Sequence, residues 1–160
     1  MPDQLTQQRV IDLSEVVADE RDRSDRGQRA YLRCEVSRPD AAVKQEAWAK
    51  FSDEKGYGSL HLTGAAMSGF HWWVQADLLA PYVDRYFEQL PTVFEQRDNE
   101  FAQRFFGNLF PGYLVQQSTL DRAQALLDAH GERIPTLRRQ LMEAIDDLQR
   151  AIRCREFAAS

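Results

Sequence analysis

Residues Leu78–Pro111 read LLAPYVDRYFEQLPTVFEQRDNEFAQRFFGNLFP. Phe101 and Phe105 lie one helical turn apart and Leu109 one turn further, an apolar seam with the period of a helix. No run in this stretch alternates apolar and polar residues as a half-buried strand does. Pro81 is expected to open a helix. Pro91, after Leu90, is expected to break or kink it, because the ring clashes with the preceding turn and supplies no N–H. Pro111-Gly112 ends the seam.

The same period extends to both sides. Upstream, Val10, Leu13 and Val17, with Ile11 beside them, mark a first helix, and the mixed charges of 19–26 suit an exposed helix end. A second helix carries Ala30, Tyr31 and Cys34. Ser37-Arg-Pro-Asp40 fits a capping box with Pro39 in the first turn, followed by a buried face of Val43, Ala47, Trp48 and Phe51. Lys55-Gly-Tyr-Gly58 reads as a loop, and Ser59 can cap a helix whose small residues from Leu60 to Phe70 allow a neighbour to approach closely. Downstream, Ser118-Thr-Leu-Asp121 fits a second capping box before Leu120, Ala123 and Leu127, and Gly131 stops that helix. Leu137, Leu141, Ile145, Leu148 and Ile152 then form the clearest stripe of the chain. The prediction is an all-α protein of roughly eight or nine helices paired as antiparallel hairpins. No fixed repeat period is visible, so periodicity alone allows a compact bundle or a stacked α-solenoid equally well.

A chain of 160 residues, 43% hydrophobic and 28% charged, is long and apolar enough for one self-sufficient domain spanning 1–160. The net charge of −5 argues against nucleic-acid binding, which needs clustered cations to neutralise phosphates. The basic residues between Arg133 and Arg155 alternate with Glu143, Asp146, Asp147 and Glu156 and read as a solvated helix face. No apolar run reaches the ~20 residues that span a bilayer, and the N-terminus has no apolar signal core, so a cytoplasmic protein is expected. Cys34 and Cys154 are expected as reduced, half-buried thiols.

Five residues are candidates for contact with a ligand. His71-Trp72-Trp73 places three large rings together, able to line a peptide-holding cavity or, more plainly, to pack at a helix junction. Arg85 and Arg104 could grip a peptide carboxylate, unless Asp84, Glu88, Glu95 and Glu100 neutralise them as ordinary ion pairs. His130, beside Gly131, suits a helix C-terminus, and Tyr86-Phe87 and Phe105-Phe106 suit the core.

The run from Leu78 to Pro111, with Ala47-Trp48 and Gly69-Phe70 upstream and the Thr119-Leu120 and Arg-rich helices downstream, resembles the C-terminal helical domain of actinobacterial aminopeptidase N enzymes. Those are zinc metallopeptidases of the gluzincin type. The resemblance implies stacked helix pairs of the HEAT/armadillo kind with a concave face. It also implies a domain that packs on a zinc-bearing catalytic domain and restricts which peptides enter. The chemistry itself needs His-Glu-x-x-His, which sets two imidazoles on one metal and a carboxylate on the attacking water. His61, His71 and His130 have no second histidine four residues away, and the Gly-x-Met-Glu-Asn motif that grips a free amine is also missing. No cofactor is therefore expected in this chain, with zinc confined to the parent enzyme's catalytic domain, and no aminopeptidase activity is expected of the chain alone. The competing expectation is an independent helical-repeat scaffold that binds a protein or peptide on its concave face. Self-association is expected through Val10, Ile11, Leu13 and Val17.

Overall fold

A computed structural model describes residues 24–159, apart from the Trp73 side chain. Seven α-helices and no strand occur among the described residues: α1 (Asp25–Ser37), α2 (Ala41–Ser52), α3 (Leu60–Ser68), α4 (Ala76–Gln96), α5 (Asn99–Leu109), α6 (Gln117–His130) and α7 (Pro135–Ala159). A 3-10 turn, Trp73–Gln75, leads into α4. The described residues are all-α, as the periodicity predicts. The helix expected around Val10, Ile11, Leu13 and Val17 lies outside the described residues, and with it the face expected to self-associate. No helix among the described residues is long and apolar enough to cross a membrane.

Two compact units divide the chain after Leu78. In the first, α1 packs on α3, and α2 packs on both. Its core is aromatic: Phe70 lies 5.5 Å from Trp48 and 5.6 Å from Phe51, ring centre to ring centre. The Lys55–Gly58 loop forms as expected, with Gly56 at φ +49° and Gly58 at φ +92°, and the Ser59 hydroxyl accepts from Leu62 N–H (3.2 Å). Only glycine adopts such a backbone without strain.

The expected cap at Ser37 is not formed. Helix α1 runs on through Ser37, whose hydroxyl donates back to the Cys34 carbonyl (2.7 Å), and Pro39 lies in the connection. Asp40 caps α2 instead, accepting from Ala42 N–H (2.8 Å) and Val43 N–H (3.4 Å). A carboxylate at this position satisfies orphan donors and also meets the positive end of the helix dipole. The face of α1 differs as well. Ala30, Tyr31 and Cys34 are exposed, and Val36 is the buried residue. Both cysteines are free thiols, and both are exposed, not half-buried.

The second unit is built on α4. Its inner face buries Leu79, Tyr82, Tyr86, Phe87 and Leu90. Tyr86 stacks on Phe105 of α5 at 5.6 Å with planes 5° apart, and Phe106 stacks on Phe110 at 5.2 Å. The helix continues through both Pro81 and Pro91, so the expected break is absent and α4 begins five residues before Pro81. An interior proline costs about 3 kcal/mol. Burying each large side chain of the inner face returns roughly 1.5–3 kcal/mol, so packing outweighs the lost hydrogen bond.

Helices α6 and α7 form a hairpin across a short connection, buried through Ala123, Leu137, Leu141, Ile145 and Leu148. The second expected capping box is displaced. Helix α6 already includes Ser118, Gln116 supplies no side-chain cap, and Asp121 accepts from the Gln117 amide (2.7 Å). Local sequence places helix ends only to within a residue or two.

Candidate functional site

The segment after α3 carries the first three candidate residues, and a side chain absent from the expectations organises it. Lys44 is fully buried. Its ammonium donates to the Val36 carbonyl (2.7 Å) and the Phe70 carbonyl (2.9 Å), and lies 5.2 Å from the Phe70 ring centre. Two carbonyls thus accept from the ammonium, and an aromatic face lies within cation–π reach of it. The signal was in the sequence: Lys44, Ala47, Trp48 and Phe51 are spaced as one face of α2, and all four are buried. A lysine on such a stripe is ordinarily assigned to solvent.

Burial lowers the Lys44 ammonium to about 8. His71, half-buried with its ring 5.5 Å from Phe70, is lowered to about 4, first by burial and then by the Lys44 charge. It is therefore a neutral imidazole at physiological pH and offers no cation to a ligand. Trp72 is 43% exposed, and Val74 beside it 64% exposed. The turn is anchored at its far end by Gln75, whose amide donates to the Ser37 carbonyl (2.9 Å) while its oxygen is buried without a partner.

These shifts set a pH profile. For His71 the unfolded ring binds a proton below about 6.5 and the folded ring only near 4, so stability falls as pH drops through that window. For Lys44 the folded amine releases its proton near pH 8 and the unfolded one near 10.5, so stability rises with pH between those values, by at most roughly 1.4 kcal/mol per pH unit. Tyr57, pushed up to about 12 mainly by burial, opposes this above pH 10. Urea unfolding followed from pH 4 to 11 is expected to show a rise to pH 6.5, a plateau, a second rise from pH 8 to 10, and then a fall. A flat alkaline arm contradicts the assignment to Lys44.

The two arginines belong to the second unit, on different helices and in different settings. Arg85 on α4 is exposed and lies over the Tyr82 ring at 5.3 Å. Arg104 on α5 pairs with Glu100 (2.8 Å), as expected, and its Nε is buried without a partner. Two of the other expected neutralising carboxylates pair with different arginines. Asp84 pairs with Arg122 of α6, and Glu95 with Arg133 after it. Arg97 lies 3.7 Å from the centre of the Phe101 ring. Local sequence could not reveal these partners, because they lie more than thirty residues further along the chain.

A groove of about 620 Å³ also lies in the second unit. Phe106, Phe110 and Leu148 line its floor, and Arg139, Glu143 and Asp147 its rim; neither Arg85 nor Arg104 reaches it. The donor sets do not fit a zinc site: among the described residues no group of three His, Cys, Asp or Glu side chains could hold a metal ion. The arrangement presents apolar and aromatic contact surface.

Comparison with known proteins bears on this geometry. The family model described as ERAP1-like C-terminal domain matches residues 12–150. The aminopeptidase N of Streptomyces lividans is 36% identical over 148 residues, covering 92% of this chain. The chain spans only 17% of that protein's length.

Proposed function

Because the chain belongs to the ERAP1-like C-terminal domain family, we propose that residues 1–160 serve as one non-catalytic helical domain of an aminopeptidase N-like protein. The domain packs on a catalytic portion carrying zinc and shapes which peptides reach it. The observation that carries this reading is the match of nearly the whole chain to a small share of an aminopeptidase N. The hairpin of α6 and α7 supports the further reading that antiparallel pairs stack into a HEAT/armadillo-like curve with a concave face. Such a wall acts by shape: it excludes water and limits the size of what enters, and makes or breaks no bond itself.

Within this reading Trp72 touches peptide, and its exposure supports this, since an exposed indole offers a large rigid face at little rotamer cost. Trp73, Arg85 and Arg104 are the other proposed contacts. Changing Trp72 to Ala is expected to leave stability within about 0.5 kcal/mol, as for most surface substitutions. In an aminopeptidase carrying this domain it is expected to alter relative kcat/KM across a set of peptides by several-fold. An unchanged profile leaves Trp72 as surface packing only.

The reading as a whole is tested by deleting the segment from such an enzyme with the catalytic portion intact. The expected result is a broadened peptide-length profile with retained hydrolysis of small chromogenic amides. The purified chain is expected to release no amino acid from those amides, with or without added zinc. Loss of length selectivity in neither comparison favours the scaffold reading instead.

A further inference from the structure

The turn carrying Trp72 is held from beneath at both ends, and both holds run to one place. At its start Lys44 ties the Phe70 carbonyl to that of Val36, and at its end Gln75 is tied to the Ser37 carbonyl. Val36 and Ser37 are the last two residues of α1, where carbonyls lack donors within the helix and the dipole favours a cation. Between these two holds stand Trp72 and Val74, an apolar pair left in water. A connection that only joined α3 to α4 would need neither a buried cation beneath it nor an indole above it. Burying an ammonium is expensive even when it is well hydrogen-bonded.

We propose that Lys44 is a positioning residue, fixing the His71–Gln75 turn so that Trp72 meets an apolar peptide side chain at a set height and orientation. This rests on the reading that Trp72 touches peptide. The lysine touches no substrate itself and acts through the Phe70 carbonyl.

The charge environment makes the role separable from simple packing. The titratable group facing the ammonium is His71, already neutral at working pH. On α1, Glu35 is paired with Arg38, and on α2, Glu46 with Lys50. A change in the turn near pH 8 that is lost when Lys44 is replaced therefore reports Lys44 itself.

The test uses the chain labelled with fluorotryptophan, followed by fluorine NMR from pH 6.5 to 9.5, together with amide hydrogen exchange. In the wild-type chain the Trp72 resonance is expected to shift with a midpoint near pH 8. In Lys44→Met that step is expected to vanish, and exchange at 71–75 to quicken at least tenfold, with Phe51 and Ala66 unchanged. Gln75→Leu, which cuts the other hold, is expected to quicken exchange while keeping the pH step. A pH-silent Trp72 resonance in the wild-type chain overturns the proposal without needing any variant to fold. So does a step that survives Lys44→Met. The peptide profile of the parent enzyme separates the two readings. If Lys44→Met loosens the turn but neither it nor Trp72→Ala changes that profile, the peptide contact is wrong, and with it the purpose assigned to Lys44.

Discussion

Replacing Gly69 with alanine is expected to destabilise the first unit by about 3 kcal/mol or more, at the upper end of overpacking costs. Gly69 caps α3 with φ −92°, a backbone that alanine adopts freely, so no conformational strain enters. The cost comes from contact: a Cβ here sits 2.1 Å from the Arg33 carbonyl oxygen and 2.9 Å from its carbon. Both are backbone atoms of α1, which cannot rotate aside as a side-chain tip can. Relief requires α1 and α3 to separate, and these are the two most extensively packed helices of the unit. Gly107→Ala supplies the contrast. Gly107 lies within α5 and a Cβ there meets nothing within 4 Å. That substitution is expected to stabilise by about 0.5–1 kcal/mol, through the entropy glycine loses in a helix. Urea unfolding of the two variants should move in opposite directions; a shared sign would refute the close crossing of α1 on α3.

Phe105→Ala is expected to cost the second unit about 3–5 kcal/mol, the range for emptying a fully buried aromatic site. Phe105 is completely buried, stacked on Tyr86 and 6.1 Å from Phe101. The site cannot collapse easily, because helix backbones hold the rings on both sides. Tyr86→Phe is the informative partner substitution. The Tyr86 hydroxyl is buried with no hydrogen-bond partner, and burial pushes its ionisation well above the ordinary tyrosine range. Removing that oxygen leaves the stack intact and relieves the desolvation of an unpaired polar group. It is expected to be neutral or to stabilise by up to ~1 kcal/mol. Denaturation midpoints of the two variants check this directly. A loss of more than 1 kcal/mol for Tyr86→Phe implies a partner for the hydroxyl.

Periodic apolar stripes were enough to read the helical class, the α5 seam from Phe101 to Leu109 and the α7 stripe, which is buried from Leu137 to Leu148 and half-buried at Ile152. Glycine punctuation was equally plain at Lys55–Gly58, where a positive φ is a local demand. Of the candidate site, the Arg104–Glu100 pair was legible, because its members are one turn apart on one helix, whereas the exposure of Trp72 was not. The neutrality of His71 was not legible, since it depends on burial against Phe70 and on a lysine from another helix.

What sequence alone determined is whatever depends on neighbours within a turn or two: helix period, tight loops, the absence of a His-Glu-x-x-His motif and the likeness to a known helical domain. Tertiary structure alone decided the rest. It set the survival of α4 through Pro91, the partners of Asp84 and Glu95, the closeness of Gly69 to Arg33, and the burial of Lys44. Each of these is a balance between a local cost and contacts made by residues far along the chain. Local pattern carries only the cost.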